Sequence, residues 1–135
     1  MKTRLFCVIV LLIVNATLIL GQVDNSKPEI VAEKFLELYF AGDWFKACTN
    51  YSTPDCDTQL SFMLKVMETD DKYIDEGKCS FVIDSCKINK DGVTAECFYT
   101  KTCSVTLKPK KHKLMLKFMN NKWLVEYLWK RDKYL

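Results

Sequence analysis

Leu114-Met115-Leu116-Lys117-Phe118-Met119-Asn120-Asn121-Lys122-Trp123-Leu124-Val125-Glu126-Tyr127-Leu128-Trp129 is a hairpin written in one line. Two runs of period-two alternation flank Asn120-Asn121, a pair suited to a two-residue turn. With those asparagines at the tip, Phe118 faces Trp123, Leu116 faces Val125 and Leu114 faces Tyr127. All three pairs share a face, and a face that apolar has to be buried. The other face would carry Met115, Met119, Leu124 and Leu128, either as a dimer surface or as ground covered by a helix.

Upstream, a second hairpin centres on Asp91-Gly92, with Phe81, Val82 and Ile83 in one strand and Val93 to Tyr99 in its partner. Before Gly77 the period is helical. Ser26-Lys27-Pro28-Glu29 has capping-box spacing, and Ile30, Val31, Phe35, Leu38 and Tyr39 follow at helical intervals until Gly42. Asp43 then caps a short helix that ends near Cys48. Thr53-Pro54-Asp55 opens a third helix striped by Leu60, Met63, Leu64 and Met67. Helices first and strands after indicate α+β: two or three N-terminal helices packed on a curved antiparallel sheet of about four strands.

The N-terminus reads as an export signal. Lys2 and Arg4 precede an apolar run from Leu5 to Leu20, and Gly21 offers a small residue for cleavage. The run could serve as an uncleaved anchor, but Asn15 and Thr17 interrupt it and a polar, turn-rich segment follows. The expected organisation is residues 1–21 as signal peptide and 22–135 as one secreted, extracellular domain without a transmembrane anchor. The whole chain carries 20 Lys and Arg against 17 Asp and Glu. The balance is uneven, from −7 over Gln22–Gly77 to +8 over Lys78–Leu135. The plainer reading is that the two halves partly neutralise each other on packing.

Cys48, Cys56, Cys79, Cys86, Cys97 and Cys103 make an even set in an exported chain, the usual sign of a disulfide framework. No Cys-x-x-Cys pair and only one histidine, His112, leave no zinc spacing, so no metal or cofactor is expected. Six cysteines allow 15 connectivities. A two-residue tip at Asp91-Gly92 would set Cys86 opposite Cys97 and bring Cys79 and Cys103 together, leaving Cys48 and Cys56 around a short turn. A three-residue tip would shift the register by one and spoil that pairing.

Pro28-Glu29-Ile30-Val31-Ala32-Glu33-Lys34-Phe35 and Tyr39-Phe40-Ala41-Gly42-Asp43-Trp44-Phe45-Lys46-Ala47-Cys48 resemble the opening of nuclear transport factor 2-like domains. Asn121-Lys122-Trp123-Leu124-Val125 fits their last hairpin. The resemblance is to small exported domains of unknown function in that superfamily. It implies a cone-shaped sheet closed by helices on one side, often around an apolar pocket. Some relatives are isomerases or dehydratases with inward Asp, Tyr or His groups; here Tyr99, Asp84 and Tyr127 could face inward. The six cysteines depart from most of the superfamily and suggest a venom or other secreted fluid.

Three sites remain to be weighed. Lys108-Pro109-Lys110-Lys111-His112-Lys113 reads first as a solvated loop held out of the sheet by Pro109, and otherwise as a docking patch through Lys108, Lys110, Lys111 and Lys113 for a polyanion such as heparan sulfate or for an anionic lipid surface. Export makes nucleic acid the least suitable polyanion for it. Asn50-Tyr51-Ser52 is a glycosylation sequon in an expected exposed turn. His112 has no visible carboxylate partner and reads as a surface residue. No catalytic residue is assigned.

The leading reading is therefore a secreted, non-enzymatic binding or effector protein, with an unknown extracellular target and a homodimer available through the sheet. An apolar-ligand carrier or isomerase using the cone interior is the alternative; an interior filled by Phe98, Phe118, Trp123 and Trp129 would count against it. A cystatin-type protease inhibitor ranks last, because the Gln-x-Val-x-Gly motif is missing and the helix order differs.

Overall fold

A computed structural model of the chain describes residues 23–69 and 77–127. Three helices, α1 (Pro28–Phe40), α2 (Trp44–Tyr51) and α3 (Cys56–Thr69), precede four strands. These are β1 (Cys79–Ile88), β2 (Thr94–Cys103), β3 (Lys110–Met119) and β4 (Lys122–Val125). The sheet is a meander in the order β1-β2-β3-β4, antiparallel throughout. The expected α+β arrangement of helices on a curled sheet is what the chain forms.

Pro28 opens α1 at a position that needs no N–H donor. The expected capping box does not close: Lys27 is the N-cap and provides no side-chain bond. Ser26 is engaged elsewhere, donating from its backbone N and its Oγ to Asp24 Oδ1 at 3.0 and 2.7 Å. The far end of α1 stops on Gly42, whose φ of 82° suits a residue without Cβ. There Gly42 N donates to Tyr39 O and Asp43 N to Leu38 O, satisfying two carbonyls the helix would otherwise leave open. Asp43 precedes α2 without a side-chain cap, and α2 runs on past Cys48 to Tyr51. In the next turn, Asp55 accepts from Thr53 Oγ1 and Gln59 Nε2, bracing the start of α3.

Strand alternation sorts the sheet into two faces. Ala95, Cys97, Leu116, Trp123 and Val125 are buried against Val31, Ala32, Phe35 and Leu36 of α1. Ala47, Cys48 and Tyr51 of α2, with Cys56, Leu60 and Met63 of α3, complete this core. Both hairpins take the expected register. Cys86 faces Cys97 across the Asp91-Gly92 tip, and Phe118 faces Trp123 across Asn120-Asn121, whose φ values of 53° and 59° define the turn.

Two expectations about the last hairpin need correction. Its ladder ends at Leu116–Val125, so Leu114 and Tyr127 are not a strand pair. Phe118 is 37 % exposed, because the tip reaches past the helices. Phe98 does not fill the interior either: it pairs with Lys113 on the outer face and is 40 % exposed. Leu128 and Trp129 lie outside the described residues.

The free edge of β4 is closed by the chain's early segments. Trp123 N donates to Asn25 O at 3.0 Å, and Asn25 Nδ2 donates back to Trp123 O at 3.0 Å and to Asn50 O at 3.3 Å. Thr53 N and Ser52 Oγ both donate to Val125 O, at 2.9 and 2.7 Å. This blunts an edge that could otherwise recruit another strand.

Candidate functional site

The six cysteines among the described residues are all paired: Cys48–Cys56, Cys79–Cys103 and Cys86–Cys97. The last two join directly opposed residues of β1 and β2. They tie β1 to β2 on the inner face, while on the outer face of the same hairpin Val82 is 66 % exposed. Near the open end of that hairpin lies a shallow, open depression of about 310 Å³ lined by Lys78, Ser80, Thr102, Ser104, Leu107 and the Cys79–Cys103 bridge.

Inside the cone, the polar centre is a pair of phenols. Tyr39 and Tyr127 place their hydroxyls 3.4 Å apart, and Tyr127 Oη donates to Met63 Sδ at 3.1 Å. The Tyr39 ring stacks on Phe35 at 5.8 Å, and Trp44 Nε1 donates to Tyr39 O at 2.8 Å. Burial pushes the Tyr39 hydroxyl above the ordinary phenol range, despite the opposing hydrogen bond with Tyr127. This pair can hold protons and donate hydrogen bonds at neutral pH.

Of the residues expected to face inward, Tyr127 and Tyr99 do so and Asp84 does not. The register shift between Ile83 and Ser85 leaves Asp84 exposed, where it accepts from Thr100 Oγ1 at 2.8 Å. Tyr99 is half-buried against Phe40 and stacks on His112, with ring centroids 5.4 Å apart. His112 is therefore half-buried, not the surface residue expected from its lysine neighbours. Its ring partner Tyr99 in turn meets Phe40 at the end of α1, remote in sequence.

The basic run is divided by the pleat. Only Lys108 and Pro109 lie in the loop; β3 starts at Lys110, so the run is not held out of the sheet. Lys110 pairs with Lys101 on the inner side, whereas Lys111 and Lys113 point outward. The proposed quartet is thus not one patch. Lys111 and Lys113 instead share the outer face with Lys117 of the same strand, Lys122 of β4 and Lys87 of β1. Lys113 Nζ is paired with Glu96 Oε1 at 2.9 Å. The period-two reading of Leu114 to Met119, extended four residues toward the N-terminus, would have found this row.

Asn50 sits in the last turn of α2, half-buried, and not in an exposed loop. The other sequon residues, Tyr51 and Ser52, are buried. Among the described residues no cluster of three or more His, Cys, Asp or Glu could hold a metal ion. None of their helices is long and apolar enough to cross a membrane.

No family model matches the chain, and no curated protein matches it. Among solved structures it is similar to a Campylobacter jejuni protein that carries the name NTF2-like transpeptidase. The two are 21 % identical over 76 % of this chain and all of that one, with a TM-score of 0.51. At that identity the likeness speaks for the fold: the chain has the nuclear transport factor 2-like fold, helices closing one side of a curled sheet. In this chain of 135 residues three disulfides cross-link that fold.

Proposed function

We propose that this chain is a secreted, non-enzymatic binding protein that presents a rigid, cross-linked sheet to an extracellular target. The observation that carries this reading is the contrast between the two sides of the sheet. The inner side is occupied by Phe35, Leu36, Leu116, Trp123 and Val125, all nearly inaccessible. The outer side has no described helix over it. Three disulfides in so small a domain, together with the apolar leader, support export. An effector role in a secreted fluid, and an N-linked glycan at Asn50, belong to the same proposal.

The transpeptidase name of the similar structure is not carried over. Acyl transfer needs a nucleophile beside a base; here the six mature-domain cysteines are oxidised and the imidazole of His112 is stacked on Tyr99. A carrier of apolar ligands is the second reading, favoured by the Tyr39–Tyr127 hydroxyl pair.

Native mass spectrometry of the mature protein from its own source, before and after mild denaturation, separates the two. The binding-protein reading expects a mass six hydrogens below the reduced chain, plus any glycan, with nothing released on denaturation. Release of a small molecule would overturn it and leave the carrier.

A further inference from the structure

We infer that the outer face of the sheet binds a sulfated polysaccharide chain along β3. This rests on the reading of the protein as an extracellular binder and names the surface and the partner. Lys111, Lys113 and Lys117 stand on one side of one strand, a row of about 20 Å at the usual strand rise. Lys122 and Lys87 flank it from β4 and β1. The helices pack on the opposite face, so the described structure leaves this row open to solvent.

Three features select the partner. First, the row is linear and charged, as an extended polyanion is. The acidic groups on the same face are Glu96, bonded to Lys113, and Glu126 beside Met115, with Asp84 at the bulge and Asp55 close enough to act on Lys117. They leave the row itself basic. Second, among the described residues every cation on this face is lysine. Lysine ammoniums are compact point charges that follow the positions of repeated anions, whereas forked recognition of a single carboxylate or phosphate is the strength of arginine. Third, Met115, Leu124 and Phe98 lie between the lysines as apolar ribs, suited to the faces of sugar rings. A bilayer fits less well: a plane of headgroups pressed on this face would also desolvate Glu96 and Glu126. A single chain tracking β3 runs between the two and need displace only Glu96 from Lys113.

The experiment titrates the full mature protein with a heparin octasaccharide at ~0.15 M salt, where only close charge contacts survive screening. Lys111→Ser/Lys113→Ser/Lys117→Ser is compared with Lys27→Ser/Lys46→Ser/Lys90→Ser, an equal loss of charge elsewhere on the surface. The first triple variant should bind at least about tenfold more weakly than wild type, and the second within about twofold. Raising the salt should weaken wild type steeply and the first variant little. Equal losses in both variants, equal binding of the desulfated octasaccharide, or no binding by wild type would each overturn the inference. So would tighter binding to phosphatidylserine vesicles, or self-association through this face that excludes the oligosaccharide. The intact three-disulfide mass of each variant confirms folding. A protein that ignores the octasaccharide but releases nothing from its interior loses this inference alone. One that releases a small molecule loses the parent reading.

Discussion

The two hairpins of this sheet are held by different means. β1–β2 carries two cross-strand disulfides, and Val82, Ile88, Val93 and Phe98 are exposed along it. β3–β4 carries none; it has Leu116, Trp123 and Val125 buried under α1 and α2, and its edge is tied to Asn25, Ser52 and Thr53. Both hairpins bury their inner side: Ala95 and Cys97 of β2 are as inaccessible as Leu116 and Val125. A hairpin with one solvated side is marginal alone, and each adds its own tie: covalent bonds across β1–β2, hydrogen bonds along the edge of β4.

The comparison can be broken at the β3–β4 hairpin first. Trp123→Ala should cost about 3–5 kcal/mol in chemical denaturation, through lost burial and the cavity left beneath α1. Next comes the cross-linked hairpin. Cys86→Ala with Cys97→Ala should cost about 2–4 kcal/mol, read by thermal melting under non-reducing conditions. If Trp123→Ala proved the milder change, the cross-link would outweigh burial. Asn121→Ala, at φ 59°, should cost about 1–2 kcal/mol by forcing a Cβ-bearing residue without asparagine's tolerance into the left-handed region. Asn121→Gly should be tolerated.

The pH dependences of the two hairpins should run in opposite directions. Asp91 accepts from Thr94 Oγ1 and from Val93 N and Thr94 N, which holds its carboxyl below the usual 3.8. Its contribution is present above that value and fades as the pH falls, so the β1–β2 hairpin should lose thermal stability in acid, and Asp91→Asn should flatten that loss. Tyr39 is raised above 10.0, so its contribution is present below that value and fades as the pH climbs through the folded value. The melting temperature should fall in alkali, and Tyr39→Phe should reduce that fall. Phe98→Ser, on the outer face, should change stability by no more than about 0.5 kcal/mol.

What could be read in advance followed from short-range chemistry. Asp91-Gly92 and Asn120-Asn121 set both registers, and the first register set Cys86 against Cys97. The failures came from competition and from distance. Ser26 was read as a cap because its spacing to Glu29 is right, but Asp24, two residues away, takes its hydroxyl. Pro109 was read as keeping the lysines out of the sheet, yet it lies just before the first residue of β3, where its missing N–H disturbs no ladder bond. The bulge that turns Asp84 outward and the half-burial of His112 against Tyr99 depend on partners no local window contains. The basic row of the candidate site is thus half legible: alternation along one strand aligns Lys111, Lys113 and Lys117, but Lys87 and Lys122 join them only once the strands pair.

The hydrogen bonds of Ser52 to Val125 also impose a schedule. The two residues are 73 apart, so at about 5–20 residues per second the ribosome needs roughly 4–15 s to make the second after the first. For that interval Asn50-Tyr51-Ser52 has no strand to dock against. Once β4 closes over it, Tyr51 and Ser52 are sealed. The glycan proposed at Asn50 would therefore have to be added to the nascent chain, before β4 closes over its sequon.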